Sequence, residues 1–159
     1  MAHEHGGLRQ IEFLLGTWRG GGEGDWPGAD HFVYEEEIRF EDGGAGADFP
    51  FFSYLERSWD PQTGETLHKE AGFWRCHEGG AVDAVLSHPV AVTEVTEGRL
   101  EGSSIVLSSK AIARASESDP VTRLERRYAI NRDTLTYELE MATEDVVLTH
   151  HLSGRLERA

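Results

Sequence analysis

An all-β chain, folded as an antiparallel up-and-down barrel of about ten strands, is the fold class this sequence predicts. Three observations carry that reading. Turn-forming clusters recur along the chain: Asp42-Gly43-Gly44, Asp60-Pro61-Gln62-Thr63-Gly64, Glu78-Gly79-Gly80, Glu97-Gly98, Glu101-Gly102 and Asn131-Arg132-Asp133. Glycine supplies positive φ at such bends, and Pro, Asp and Asn favour them through fixed φ and local hydrogen bonds. Between the clusters, apolar and polar residues alternate with the period of two that a strand requires. Only one stretch has the spacing of a helix.

That stretch is the first element, residues 8 to 15. Leu8, Ile11 and Leu15 fall at helical spacing, and Gly16 can end the helix. So short a helix is unstable alone and must dock, as a plug under a sheet. The run Gly16-Thr17-Trp18-Arg19-Gly20-Gly21-Gly22-Glu23-Gly24 follows. It lacks the Gly-Lys-Ser/Thr ending of a phosphate loop and follows a helix rather than a strand. It reads as a sharply bent first strand whose glycines admit close backbones and whose Trp18 fills one barrel end. In His31 to Phe40, the residues Phe32, Tyr34, Ile38 and Phe40 share one face, and Val33, Glu35, Glu37 and Arg39 the other. The same alternation sends Glu36 away from Glu35 and Glu37, so this acidic triplet is not a carboxylate dyad. Ser104 to Ser109 and Thr122 to Ile130 read as strands. So does Thr134 to Met141, with Leu135, Tyr137, Leu139 and Met141 on one face. A sandwich is the other architecture these strands allow, but a closed barrel removes exposed edges. Residues 1–159 read as one domain without internal repeats, and Ser116-Glu117-Ser118-Asp119-Pro120 as a polar loop.

Composition narrows the function classes. The 159 residues carry a formal net charge of −14. A negative field repels phosphate backbones and anionic lipid, which argues against nucleic-acid and membrane partners. No apolar run approaches the ~20 residues that span a bilayer, and the N-terminus lacks the pattern of a signal peptide. The single cysteine, Cys76, excludes an intrachain disulfide and fits a reducing, cytoplasmic setting.

The chemistry-bearing candidates are histidines. None of the eight shows the His-x-x-x-His spacing of a helical zinc site, and Cys76 has no thiolate partner. His3 and His5 read as a mobile tail, His77 and His88 as exposed residues near turns. His68 shares a strand face with Glu70, Gly72 and Trp74. His150 and His151 are adjacent on a strand and point to opposite sides. His150 shares parity with Leu148, Leu152 and Leu156, and His151 with Thr149, Ser153 and Arg155. Parity alone leaves open which of the two faces the interior.

Five segments together resemble the nitrobindins, a family of haem-binding β-barrels. They are Leu14-Leu15-Gly16-Thr17-Trp18-Arg19-Gly20-Gly21-Gly22-Glu23-Gly24, Tyr34 to Phe40, His68-Lys69-Glu70-Ala71-Gly72-Phe73-Trp74-Arg75, Met141-Ala142-Thr143, and His151-Leu152. The resemblance runs over nearly the whole chain. It implies one non-covalent haem b per chain, since the chain has no Cys-x-x-Cys-His. It implies His151, the histidine before Leu152, as the axial ligand to the haem iron. It places His68 and Met141 in the haem pocket. It also marks a departure: Trp26-Pro27 is followed by Gly28, where family members carry a threonine near the haem. The implied activity is ferric-haem chemistry on reactive nitrogen species, with nitric oxide binding and isomerisation of peroxynitrite to nitrate. A homodimer is compatible with it. The alternative function is a haem-free carrier of a small apolar molecule in the same barrel.

Overall fold

Ten antiparallel strands close into a barrel in which each strand pairs with its sequence neighbours and the first pairs with the last. The computed structural model describes residues 6–44 and 49–159. His3 and His5 lie outside these residues. The strands are β1 (Gly16–Gly24), β2 (Phe32–Asp42), β3 (Phe52–Trp59), β4 (Thr66–Cys76), β5 (Ala81–His88), β6 (Val92–Glu101), β7 (Ser104–Arg114), β8 (Val121–Asn131), β9 (Thr134–Thr143) and β10 (Thr149–Arg158). The expected helix exists in shortened form. A four-residue α1 (Gly6–Arg9) passes into a 3₁₀ turn at Glu12–Leu14. The tighter winding, three residues per turn, moves the inward position from Leu15 to Leu14. Leu8, Ile11 and Leu14 are accordingly the buried set.

This plug closes one end of the barrel. Trp18 is fully buried beneath it and donates from Nε1 to the Leu14 carbonyl at 2.8 Å. Arg158, near the end of the chain, stacks over the Trp18 ring at 4.2 Å and donates to the carbonyls of Leu15 (2.6 Å) and Phe13 (2.9 Å). These bonds satisfy carbonyls that the short helical segment leaves open. The main core, with Ile38, Phe40, Trp74, Leu86, Ile105, Leu107, Leu135 and Leu156, packs directly on the plug. A second, smaller cluster of Val121, Leu124 and Leu139 is flanked by Met141 and Leu152. Between the two clusters the interior is polar.

Two glycines matter for shape. A Cβ on Gly22 would strike the Tyr34 ring, so the bare backbone lets that tyrosine lie across β1. Gly98 lies inside β6, paired with Leu107, and its missing Cβ lets the Val106 carbonyl pass close. The Glu97-Gly98 pair is therefore mid-strand rather than a turn. The non-glycine residue Arg132 supplies the positive φ (56°) of the β8–β9 turn.

Candidate functional site

The barrel interior holds a cavity of about 470 Å³, a size suited to a small cofactor. Its wall is apolar where Phe32, Val92, Val121, Leu139, Met141 and Leu152 meet, and polar where Glu36, Glu56, Glu70 and Arg126 meet. His151, His68 and Met141 line this cavity. Gly28 does not: it sits in the exposed turn after β1 with φ 82°, and a Cβ there would meet nothing within 4 Å.

How His151 comes to line the cavity is a matter of register. Thr149 pairs with Met141 and His150 with Glu140, but Leu152 pairs with Leu139, so His151 is an extra residue in β10. Such a bulge re-aims a side chain without ending the strand. Before it, odd-numbered residues face inward; after it, Leu152, Gly154 and Leu156 do. His151 and Leu152 therefore both line the cavity, although they are neighbours. His150 stays exposed and bonds Ser153 Oγ at 2.7 Å.

The loop after β1 fixes the His151 ring. Asp25 N donates to the His151 carbonyl at 2.9 Å, and His151 Nδ1 lies 2.8 Å from the Asp25 carbonyl oxygen. A carbonyl only accepts, so Nδ1 carries the proton and Nε2 keeps the lone pair. Trp26 meets the ring edge-on, with centroids 5.2 Å apart. Burial, opposed in part by the Asp25 hydrogen bond, holds the imidazole below its usual range and so neutral. A neutral imidazole with its second nitrogen anchored to a backbone carbonyl is the usual form of a histidine that ligates iron or zinc. The donor set and the apolar wall around Met141 and Leu152 fit a haem.

The polar part of the interior is a network that the sequence pattern does not disclose. Arg126, 6% exposed, reaches Glu70 through Nη1–Oε1 (2.8 Å) and Nη2–Oε2 (3.1 Å). It reaches Glu94 through Nε–Oε1 (3.0 Å) and Nη2–Oε2 (3.0 Å). Burial opposes ionisation of both carboxylates, but Arg126 outweighs it and holds each below the ordinary carboxylate range. His88 lies 2.8 Å from Glu94 through Nε2. Its side chain is only 9% exposed, so the expectation that His88 is an exposed residue near a turn is overturned. It closes β5 with its ring folded onto the buried carboxylates. His77 bonds Asp83 at 2.7 Å and is half exposed.

A second polar group centres on Glu36. It is inward-facing and buried, as alternation requires, and accepts from Tyr137 Oη at 2.8 Å; Tyr137 and Tyr34 hydroxyls lie 2.5 Å apart. Its carboxyl partner is Glu56, on β3. Glu36 thus does belong to a carboxyl pair, one made across strands rather than with its sequence neighbours. Burial raises both: Glu36 up to about 8, and Glu56 further, with the charge of Glu70 adding to the effect. Glu56 Oε2 has no hydrogen-bond partner among the described residues. A carboxyl raised on folding favours the native state below its unfolded value near 4.5 and loses that contribution as pH rises through the folded value. Glu56→Gln removes a charge the interior resists and keeps the shape. Its thermal denaturation should match the parent within about 1 kcal/mol near pH 5 and exceed it by about 1–2 kcal/mol near pH 9. A stability difference that does not change with pH would show that Glu56 stays ionised.

Fold and site together define a class: an up-and-down barrel with an internal cavity, one anchored neutral imidazole and a buried ion network. The chain belongs to the THAP4-like, heme-binding beta-barrel domain family, whose pattern matches residues 7–158. It is 37% identical over 158 residues to the peroxynitrite isomerase of Nocardia farcinica (strain IFM 10152), covering 97% of this chain and 92% of that one. It is 36% identical over 145 residues to peroxynitrite isomerase 1 of Rhodococcus jostii (strain RHA1), covering 91% and 80%. The crystal structure of Rv2717c from M. tuberculosis superposes with a TM-score of 0.84 at 34% identity, covering 96% of each chain. Among the described residues no helix is long and apolar enough to cross a membrane.

Proposed function

We propose that this chain binds one non-covalent haem b through His151 Nε2, binds nitric oxide, and isomerises peroxynitrite to nitrate with the iron in the ferric state. The observation that carries the reading is the His151–Asp25 clamp, which leaves one fixed lone pair at an apolar wall of the cavity. The names of the Nocardia and Rhodococcus relatives supply the reaction.

When bound, haem would supply an iron that can take up a small ligand, and with it the redox and Lewis-acid chemistry of the reaction. The chain's own residues do the rest. Asp25 sets the tautomer and ring plane of His151, and Trp26 packs against its edge. Phe32, Leu139, Met141 and Leu152 line the cavity and would offer apolar surface to the macrocycle, whose burial would contribute about 25 cal/mol per Å². His68, in the same cavity but on β4, reaches His88 rather than the β10 wall: its Nε2 lies 3.1 Å from His88 Nδ1. We place it as a residue that tunes access and polarity, not as a second iron ligand.

Stopped-flow mixing tests the activity. Ferric haem-loaded protein should accelerate peroxynitrite decay and raise the nitrate fraction of the products, and haem-free protein should do neither. Nitric oxide should shift the Soret band of the loaded protein. Equal decay rates with and without haem would overturn the enzyme reading and leave the carrier of a small apolar molecule in its place.

A further inference from the structure

Three ligating atoms converge in the polar part of the cavity. His68 Nε2 and His88 Nδ1 are 3.1 Å apart; Glu70 Oε2 lies 3.6 Å from His88 Nδ1 and 3.8 Å from His68 Nε2. A triangle with these sides has a circumradius of about 2.0 Å, which is the bond length of zinc to imidazole nitrogen and carboxylate oxygen. We propose that His68, Glu70 and His88 form a binding site for one divalent transition-metal ion, Zn²⁺ as the type case. The assignment does not depend on the haem reading.

The surroundings have the form of an outer shell. His88 Nε2 is bonded to the Glu94 carboxylate at 2.8 Å, so the proton sits on Nε2 and the Nδ1 lone pair is left toward His68 and Glu70. A carboxylate, histidine and metal in line is the common second-shell arrangement. Arg126 holds Glu70 from behind, and a carboxylate oxygen has a second lone pair with which to meet a metal while keeping that contact. His68 needs only to carry its proton on Nδ1 to free Nε2, so no net proton need leave. Across the β3–β4 ladder, Glu56 stands opposite Glu70 in the same cavity, and its buried Oε2 has no partner among the described residues. Two histidines and a carboxylate leave further coordination positions facing the cavity, as in zinc and non-haem metal sites that bind substrate.

The spacing explains why the helical zinc pattern misses the set. His68 and Glu70 are two apart, the strand equivalent of one face, and His88 comes from the next strand.

The test is a titration of the full-length chain carrying His3→Ala and His5→Ala, which removes the N-terminal histidines as competing ligands. Isothermal titration with Zn²⁺ should give one ion per chain, and Co²⁺ should give visible d–d bands that Zn²⁺ abolishes. His68→Leu and His88→Gln should each weaken the affinity at least tenfold. Glu94→Gln should weaken it about tenfold through the His88 orientation alone. His77→Ala, outside the cavity, should leave it unchanged. No one-to-one cobalt binding by this chain would overturn the proposal without reliance on any further variant. Retained affinity in both His68→Leu and His88→Gln would overturn it by placing the ion elsewhere.

Discussion

His151→Ala should lose the bound-haem Soret band under conditions where His150→Ala keeps it. The two residues are adjacent in β10, yet their surroundings differ completely. His151 lines the cavity with Nδ1 tied to the Asp25 carbonyl, whereas His150 is exposed against Ser153. Removing the imidazole anchored at the apolar wall would remove the proposed protein–iron bond, and apolar contacts alone would retain the macrocycle weakly. Removing His150 costs a surface hydrogen bond, within about 0.5 kcal/mol of stability. His151→Ala should fold normally, because the Asp25 N bond to the residue 151 carbonyl survives and the carbonyl freed from Nδ1 lies in an exposed loop that water can reach. Haem titration followed at the Soret band, with far-ultraviolet circular dichroism as the fold control, checks both variants. The reverse pattern, His150→Ala losing haem and His151→Ala keeping it, would mean that the bulge lies one residue away from where the pairing puts it.

Arg126→Met should be the most destabilising single change in the barrel interior. Arg126 supplies four hydrogen bonds to two carboxylates that are almost wholly buried, Glu70 and Glu94. A buried ion network is not in itself a large net gain, since desolvation consumes most of the Coulomb attraction. Breaking one is costly because the remaining charges are stranded. The expected loss is about 3–5 kcal/mol, or a fall of about 10 °C or more in the melting temperature of a chain this long. Combining Arg126→Met with Glu70→Gln and Glu94→Gln should recover much of it, since no charge is then left unpaired. Urea denaturation of the single and triple variants checks this. A single-variant loss below about 1 kcal/mol would show that water entering the cavity solvates both carboxylates.

The architecture was legible because the period of two is a local property. Where a strand is unbroken its inward set follows from alternation, as for Leu135, Tyr137, Leu139 and Met141 on β9, and turn residues mark most of the ends. The helical plug was legible as an element but not in its winding: the change to 3₁₀ geometry that buries Leu14 instead of Leu15 is set by docking onto Trp18 and Arg158. Gly98 misled as a turn signal because the same residue type serves positive φ and close strand approach, and only the neighbouring Val106 carbonyl tells which applies. His88 misled for a related reason. Its position next to a turn predicts exposure, but the partner that draws it inward, Glu94, is on another strand.

By itself, then, the sequence determined about ten antiparallel strands, a preference for a closed barrel over a sandwich, and the glycine-rich bent first strand, while the family resemblance singled out one of two adjacent histidines as a cofactor ligand. Only the tertiary structure decided how inward residues meet. Strand parity could not choose between His150 and His151, because a bulge between His150 and Leu152 reverses the parity partway along β10. Glu36, Glu56, Glu70, Glu94 and Arg126 are all buried in the folded barrel, and which of them pair is fixed by the stagger of strands around it. Contacts such as Glu70–Arg126 join residues 56 positions apart. The physical reason is one of range: backbone geometry and turn chemistry act over a few residues, whereas the pairing of buried charges depends on closure of the whole sheet.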